Sequence, residues 1–203
     1  LGVHIDENLT WAKHVESIIK KVVCNISILR KVSPSLTLDH RITVYKSVIE
    51  PHFNYCSLVW DSITETLSNK LQKLQNRAAR IVSGLPYSVP SNEIRQHLGW
   101  PSLVEMRRRD KAIMMYKIVH GHTAPYLKDM FNKQKSSEVY GLRNSKLGVQ
   151  IPQARTSHFR NSFSFTGASI WNSLPENLKD EKSLFSFKRH IKNYKFASTT
   201  TQT

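Results

Sequence analysis

Acidic residues are scarce in this sequence and aspartates are never doubled. They stand alone at 6, 39, 61, 110, 129 and 180, so no Asp-Asp pair is present to hold two metal ions for phosphoryl chemistry. Cysteine is almost absent. Cys24 and Cys56 are the only two, which excludes a disulfide framework and, with none after 56, a downstream Cys/His zinc knuckle. Both fall in apolar helical patterns, so buried, reduced thiols are expected, in cytosol or nucleus. The seven glycines are dispersed, leaving no Gly-rich phosphate loop, and no nucleophile elbow appears. No apolar run approaches the ~20 residues that cross a bilayer, so no membrane partner is expected. The opening LGVHIDENLTW has neither the basic start nor the apolar centre of a signal peptide. It also has no initiator Met, and a fragment or processed chain is expected. His120 and His122 flank Gly121 without a cysteine or a cluster of acids nearby. A helix-end pair meeting phosphate or water is expected there rather than a metal. No catalytic residue, cofactor or metal ligand is assigned.

What the sequence has in abundance is positive charge, and its placement is uneven. Over 203 residues the formal net charge is +15. Residues 1–69 are neutral, with Lys and Arg at 13, 20, 21, 30, 31, 41 and 46 against Asp and Glu at 6, 7, 16, 39, 50, 61 and 65. The whole excess lies beyond them. A charge so placed points to a polyanion, nucleic acid before an acidic membrane. The alternative is a basic protein with no specific partner.

The most informative stretch is residues 67–84, LSNKLQKLQNRAARIVSG. Leu67, Leu71, Leu74, Ala78 and Ile81, with Val82 beside them, step by four and three, which predicts one stripe of an α-helix. Lys70, Lys73, Arg77 and Arg80 keep the same spacing, a quarter to a third of a turn away. Gly84 stands where a helix needs a stop. Two readings fit: a bundle helix with a solvated basic face, or a packed helix that lays cations along a phosphate backbone.

The chain in order reads as mainly α. Thr10 is placed to cap a helix whose apolar positions run from Trp11 through Val15, Ile18, Val22, Val23, Ile26, Leu29 and Val32 to the stop at Pro34. Thr37 caps a second, interrupted or kinked at Pro51 and resuming to Trp60; Thr64 caps the third. Residues 10–84 thus predict a compact helical bundle. A basic helical connector follows over 85–136. It has a short helix near 92–98, then the capping box Ser102/Glu105 opening a helix that carries Arg107, Arg108, Arg109 and Lys111. One or two of those arginines should pair with Glu105 or Asp110. Residues 132–139 read as a loop. Over 142–165 the alternation of Leu147, Val149, Ile151 and of Phe159, Phe163, Phe165 predicts short strands or an extended wrap, a small β-containing region. Ser183 caps a last helix with Lys188, Arg189, Lys192 and Lys195 outside, and 197–203 should be a disordered tail. Trp100 and Trp171 read as core anchors, with stacking on unpaired bases the alternative. Candidate nucleic-acid contacts are Lys70, Lys73, Arg77, Arg80, Arg107, Arg108, Lys111, Lys188, Arg189 and Lys192.

Several motifs carry a resemblance. LGVHIDENLTWAKHV resembles the segment that follows the catalytic palm in reverse transcriptases of non-LTR (LINE-type, jockey-like) retrotransposons. YKSVIEPHFNYCSLVW and LQKLQNRAARIVSG are similar to the thumb segments of that family. SFSFTGASIWNSLPENLKDEKSLFSFKRHIKNY is similar to its C-terminal end. The resemblance implies that residues 1–9 end the palm and primer-grip segment and that 10–84 form the thumb. It further implies template–primer duplex or element RNA as partner, with palm and fingers upstream. It implies a non-catalytic piece of an RNA-directed DNA polymerase, since the palm aspartates are not in this sequence. The rival reading is a free-standing helical interaction module derived from a decayed element.

Overall fold

A computed structural model describes residues 2–131 and 147–196. The expectations for residue 1, for the loop at 132–139, for the start of the alternating stretch and for the tail at 197–203 lie outside the described residues. The chain divides into two compact units, Leu1–Arg107 and Arg108–Thr203.

The first unit is built on α1 (Ala12–Val32). Trp11, Val15, Ile18, Val22, Ile26 and Leu29 are buried, spaced by four and three along one face. Val23 and Val32 turn outward, and Cys24 is exposed while Cys56 is half-buried, both unpaired. The expectation of buried thiols thus fails at Cys24, which lies off the narrow stripe that the core takes. The start of α1 differs as well. Trp11 occupies the cap position in the left-handed region at φ 61°; the Asp6 carboxylate holds its amide, and Thr10 Oγ1 accepts the amide of Ala12, the first helical residue, at 3.4 Å. Asp6 accepts from the Thr10 amide at 2.8 Å and the Trp11 amide at 2.9 Å.

Thr37 caps α2 (Leu38–Val44) as expected. The chain then stays helical through a wide turn of π type at Tyr45–Ile49 into α3 (Glu50–Asn54). That turn sits directly before Pro51. A proline has no N–H for the carbonyl four residues back, and one extra residue in the turn absorbs the mismatch. The break comes later, at Cys56, whose φ of 51° separates α3 from α4 (Ser57–Trp60). Next come α5 (Glu65–Ser83), capped by Thr64 and closed by Gly84 at φ 71°, and α6 (Ser91–His97). The helix α7 (Leu103–Val119) opens on the Ser102/Glu105 box: Glu105 Oε2 accepts the Ser102 amide at 2.8 Å, and Ser102 Oγ accepts the Glu105 amide at 3.2 Å. Trp60 is wholly buried, and Trp100 stacks on Tyr45 with ring centres 3.8 Å apart.

The second unit takes the remainder of α7 with α8 (Pro125–Asp129), α9 (Ser157–Asn161), α10 (Phe163–Ser173), α11 (Glu176–Lys179) and α12 (Leu184–Asn193). Its core gathers Met115, Tyr116, Ile118, Trp171, Phe187 and Ile191. The β expectation is corrected: among the described residues no strand forms. Phe159 lies in α9, and Phe163 and Phe165 lie in α10. The buried face of α10 is Gly167, Ala168 and Trp171, so small residues conceal a helical period and the bulky phenylalanines display a false alternation. Near Val149 the chain is extended, but its backbone pairs with a side-chain amide. Asn172 Oδ1 accepts the Val149 N–H at 3.1 Å, and Asn172 Nδ2 donates to the Val149 carbonyl at 2.8 Å.

Two outcomes follow. A Cβ at Gly167 would stand 3.1 Å from the Phe163 ring and 3.2 Å from Met115 Sδ. Gly167→Val is therefore expected to destabilise the second unit by about 2 kcal/mol, read from urea denaturation. The other concerns pH. His14 is buried edge-on to Trp60, with centroids 5.7 Å apart, and Nδ1 accepts the His4 amide at 3.4 Å. Burial first, then His4 and Lys21, hold its pKa below the ordinary histidine value. Burial and Lys21 lower His52 likewise. As pH falls through about 6.5 the unfolded chain takes up protons that the folded chain accepts only at lower pH, so stability is full above that value and is lost below it. The thermal midpoint by circular dichroism should fall between about pH 7.5 and 5, and less steeply in His14→Gln. An equal slope in the variant would place the effect elsewhere.

Candidate nucleic-acid interface

The basic helix α5 is held by a seam that differs from the one read in the sequence. The buried residues are Leu71, Gln75, Ala78, Ala79 and Val82, while Leu67, Leu74 and Ile81 are only half-buried. At ~100° per residue, this seam centres roughly 150° from Lys70, Lys73 and Arg77, so the cations lie toward the side opposite the packed one rather than beside it. The reason is Gln75. Its Nε2 donates to the Pro101 carbonyl at 3.1 Å, and its Oε1 accepts from Gln72 Nε2 at 2.7 Å. A satisfied amide sits in the core at little cost, and that turns the helix. No apolar pattern signals it.

Lys70, Lys73 and Arg77 are exposed, and among the described residues none of them is tied up in a hydrogen bond or ion pair. Arg80 is different. Its NH1 donates to the Pro86 carbonyl at 2.6 Å, and its NH2 donates to the Val89 carbonyl at 3.1 Å and Ser91 Oγ at 3.4 Å. Its guanidinium lies 4.7 Å from the centre of the Tyr87 ring. It fastens the connector to the helix instead of facing solvent.

The arginine run on α7 parts company in the same way. Arg107 is buried; its Nε pairs with Asp61 at 2.5 Å and its NH2 donates to Ser68 Oγ at 2.7 Å, beside Trp60. Its partner is therefore Asp61, not Glu105 or Asp110. Arg108 is half-buried. Lys111 is buried, and its Nζ donates to Thr166 Oγ1 at 2.9 Å. Lys188, Arg189 and Lys192 are exposed along α12, opposite the buried Phe187 and Ile191. Of the ten candidates, then, Lys70, Lys73 and Arg77 form one open group and Lys188, Arg189 and Lys192 another. Trp171 is fully buried and donates from Nε1 to the Leu147 carbonyl at 2.7 Å, which makes it a core anchor. His120 stacks on Tyr116 with ring centres 4.1 Å apart and meets the Lys179 carbonyl through Nε2 at 3.0 Å. Among the described residues no group of His, Cys, Asp and Glu is placed to hold a metal ion, and no helix is long and apolar enough to cross a membrane.

The sequence pattern had left out a groove at the C-terminal end of α5. It measures about 490 Å³ and is lined by Arg30, Lys73, Arg77, Arg80 and Tyr87 among others, with no carboxylate among the described residues of its wall. Arg30 comes from α1, a different helix, which is why spacing along one helix could not reveal it.

Comparison with known proteins agrees with the motifs. Over 101 residues the chain is 27% identical to a probable RNA-directed DNA polymerase from transposon X-element of Drosophila melanogaster, covering 48% of this chain and 11% of that protein. This chain resembles mobile-element polymerases of the non-LTR class. Over 106 residues it is 27% identical to the RNA-directed DNA polymerase from mobile element jockey of Drosophila funebris, covering 51% of this chain and 12% of that one. Over 112 residues it is 26% identical to a probable RNA-directed DNA polymerase from transposon BS of Drosophila melanogaster, covering 54% and 12%. The matched part is thus a small share of each relative's length. No family model matches the chain, and no solved structure matches it.

The buried arginine yields a stability outcome. Arg107→Met removes the cation that faces Asp61 and Ser68 in a site from which water is largely excluded. It should cost about 3 kcal/mol in urea denaturation, whereas Lys73→Gln on the open face should change stability by less than about 0.5 kcal/mol.

Proposed function

We propose that this chain is a non-catalytic, nucleic-acid-binding part of a retrotransposon RNA-directed DNA polymerase, with residues 10–84 as its thumb-like bundle. It holds a template–primer duplex or the element RNA through phosphates. The observation that carries this reading is the open cation face of α5. Lys70, Lys73 and Arg77 are exposed, unpaired among the described residues, and set on a helix whose opposite side is locked in the core. They span about 10 Å of helix, the axial length of about three phosphates on one strand. The likeness to mobile-element polymerases supports nucleic acid as the polyanion. Lys188, Arg189 and Lys192 supply a second cation face of the same kind on α12. The sequence brings no Asp-Asp pair, and the reading assigns it no step of the chemistry.

Phosphate contacts carry no base information, so binding should be independent of sequence. The variant Lys70→Gln, Lys73→Gln, Arg77→Gln should keep its helical circular dichroism, because the seam is untouched. Its slope of log K against log salt, measured by fluorescence anisotropy on a blunt duplex, should flatten by about two. Arg80 is left alone, since its loss would release the connector. Lys20→Gln, Lys21→Gln should have less effect. An unchanged slope in the folded triple variant would favour the interaction-module reading instead.

A further inference from the structure

The groove beside α5 has a composition that a bare phosphate rail does not need. Its cations converge from two helices, Arg30 from α1 and Lys73 and Arg77 from α5. At its rim stands Tyr87, 87% exposed, on the short connector between α5 and α6. A ring so exposed offers its face to a stacking partner. This ring is also held in place. Arg80 donates to two connector carbonyls and to the Ser91 hydroxyl at the head of α6, and backs one face of the ring at 4.7 Å, which leaves the other face open. Ile81, Leu85 and Pro86 add apolar wall.

Cations with no carboxylate among the described residues of the groove wall, next to an aromatic face stiffened from behind, fit a group that is anionic at one end and flat and apolar at the other. An unpaired nucleotide has that form, and a base within a duplex does not offer its face. Resting on the nucleic-acid reading above, we infer that this groove receives an unpaired nucleotide of a strand leaving the duplex. Its phosphate lies toward Arg30, Lys73 and Arg77, and its base stacks on the open face of Tyr87. Arg80 is a positioning residue that fixes the ring. Stacking accepts any base, so the groove senses single-strandedness rather than sequence.

The test uses the full chain and two probes measured by fluorescence anisotropy at one salt concentration: a blunt duplex, and the same duplex with a single-stranded extension. Both are made with DNA and with RNA extensions. The expected result is tighter binding of the extended probe, by about fivefold or more. Tyr87→Ala should abolish that preference and leave blunt-duplex affinity unchanged, while Tyr87→Phe keeps it. Arg30→Gln should reduce the preference without altering blunt binding. Preference for only one kind of extension supports the groove and names the strand. A wild-type chain that binds both probes equally, or a preference that survives Tyr87→Ala, overturns the inference and leaves the duplex reading standing. A preference lost in Arg30→Gln but kept in Tyr87→Ala also overturns it, because phosphate alone is then bound. Tyr87-dependent binding of the extension without blunt-duplex binding supports the groove and overturns the duplex reading. Binding of neither probe overturns both.

Discussion

The rotation of α5 about its own axis governs what the first unit can do. Leu71, Gln75, Ala78, Ala79 and Val82 are taken into the core, so the helix cannot turn without exposing apolar surface and stranding an amide. Gln75 sharpens this constraint. Apolar residues tolerate a range of rotations, but a buried amide must meet its particular acceptors, here Pro101 and the neighbouring Gln72. Once that angle is set, Lys70, Lys73 and Arg77 face water together. Ordering them costs little more than side-chain entropy, because the backbone is already fixed by packing.

Scarcity of acid shapes where the cations end up. A buried cation needs a partner, and few carboxylates are available in a chain with half as many acids as bases. Arg107 takes one of them, Asp61. Lys111 donates to a threonine hydroxyl and Lys179 to the Asn172 carbonyl. Burial lowers the pKa of Lys179, which eases its accommodation. The basic composition therefore overstates the basic surface. Part of the charge is internal scaffolding, and part of it, as at Arg80, pins a connector.

Local signals with a local cause were legible in the residues. Thr37, Thr64 and Ser183 cap the helices that follow them, the Ser102/Glu105 box opens α7, and Gly84 ends α5 in the left-handed region. Each works through atoms three or four residues away, within reach of a sequence pattern. Signals that a simple spacing rule does not carry were misread. At the head of α1 it is Asp6 that accepts the Thr10 and Trp11 amides, with Thr10 Oγ1 making only a longer contact to the Ala12 amide. The apparent strand at 159–165 falls in two helices, and in α10 Gly167 lets Phe163 and Met115 pack close to the backbone. Val149 finds its hydrogen-bond partner in the Asn172 side chain, on another element.

The sequence by itself determined the helical class, the positions of most helices, the neutrality of its first third and the row of cations on one helix. These follow from the 3.6-residue period and from simple charge counting, which need no knowledge of neighbours. The family resemblance was also present in the order of the motifs. Only the tertiary structure decided which cations are open, because burial depends on what folds over a residue. It separated Arg107 and Lys111, taken inside, from Lys70, Lys73 and Arg77, left outside. It also brought Arg30 to Lys73, Arg77 and Tyr87, residues that share a groove although they lie on different elements, since packing joins surfaces that the chain keeps apart.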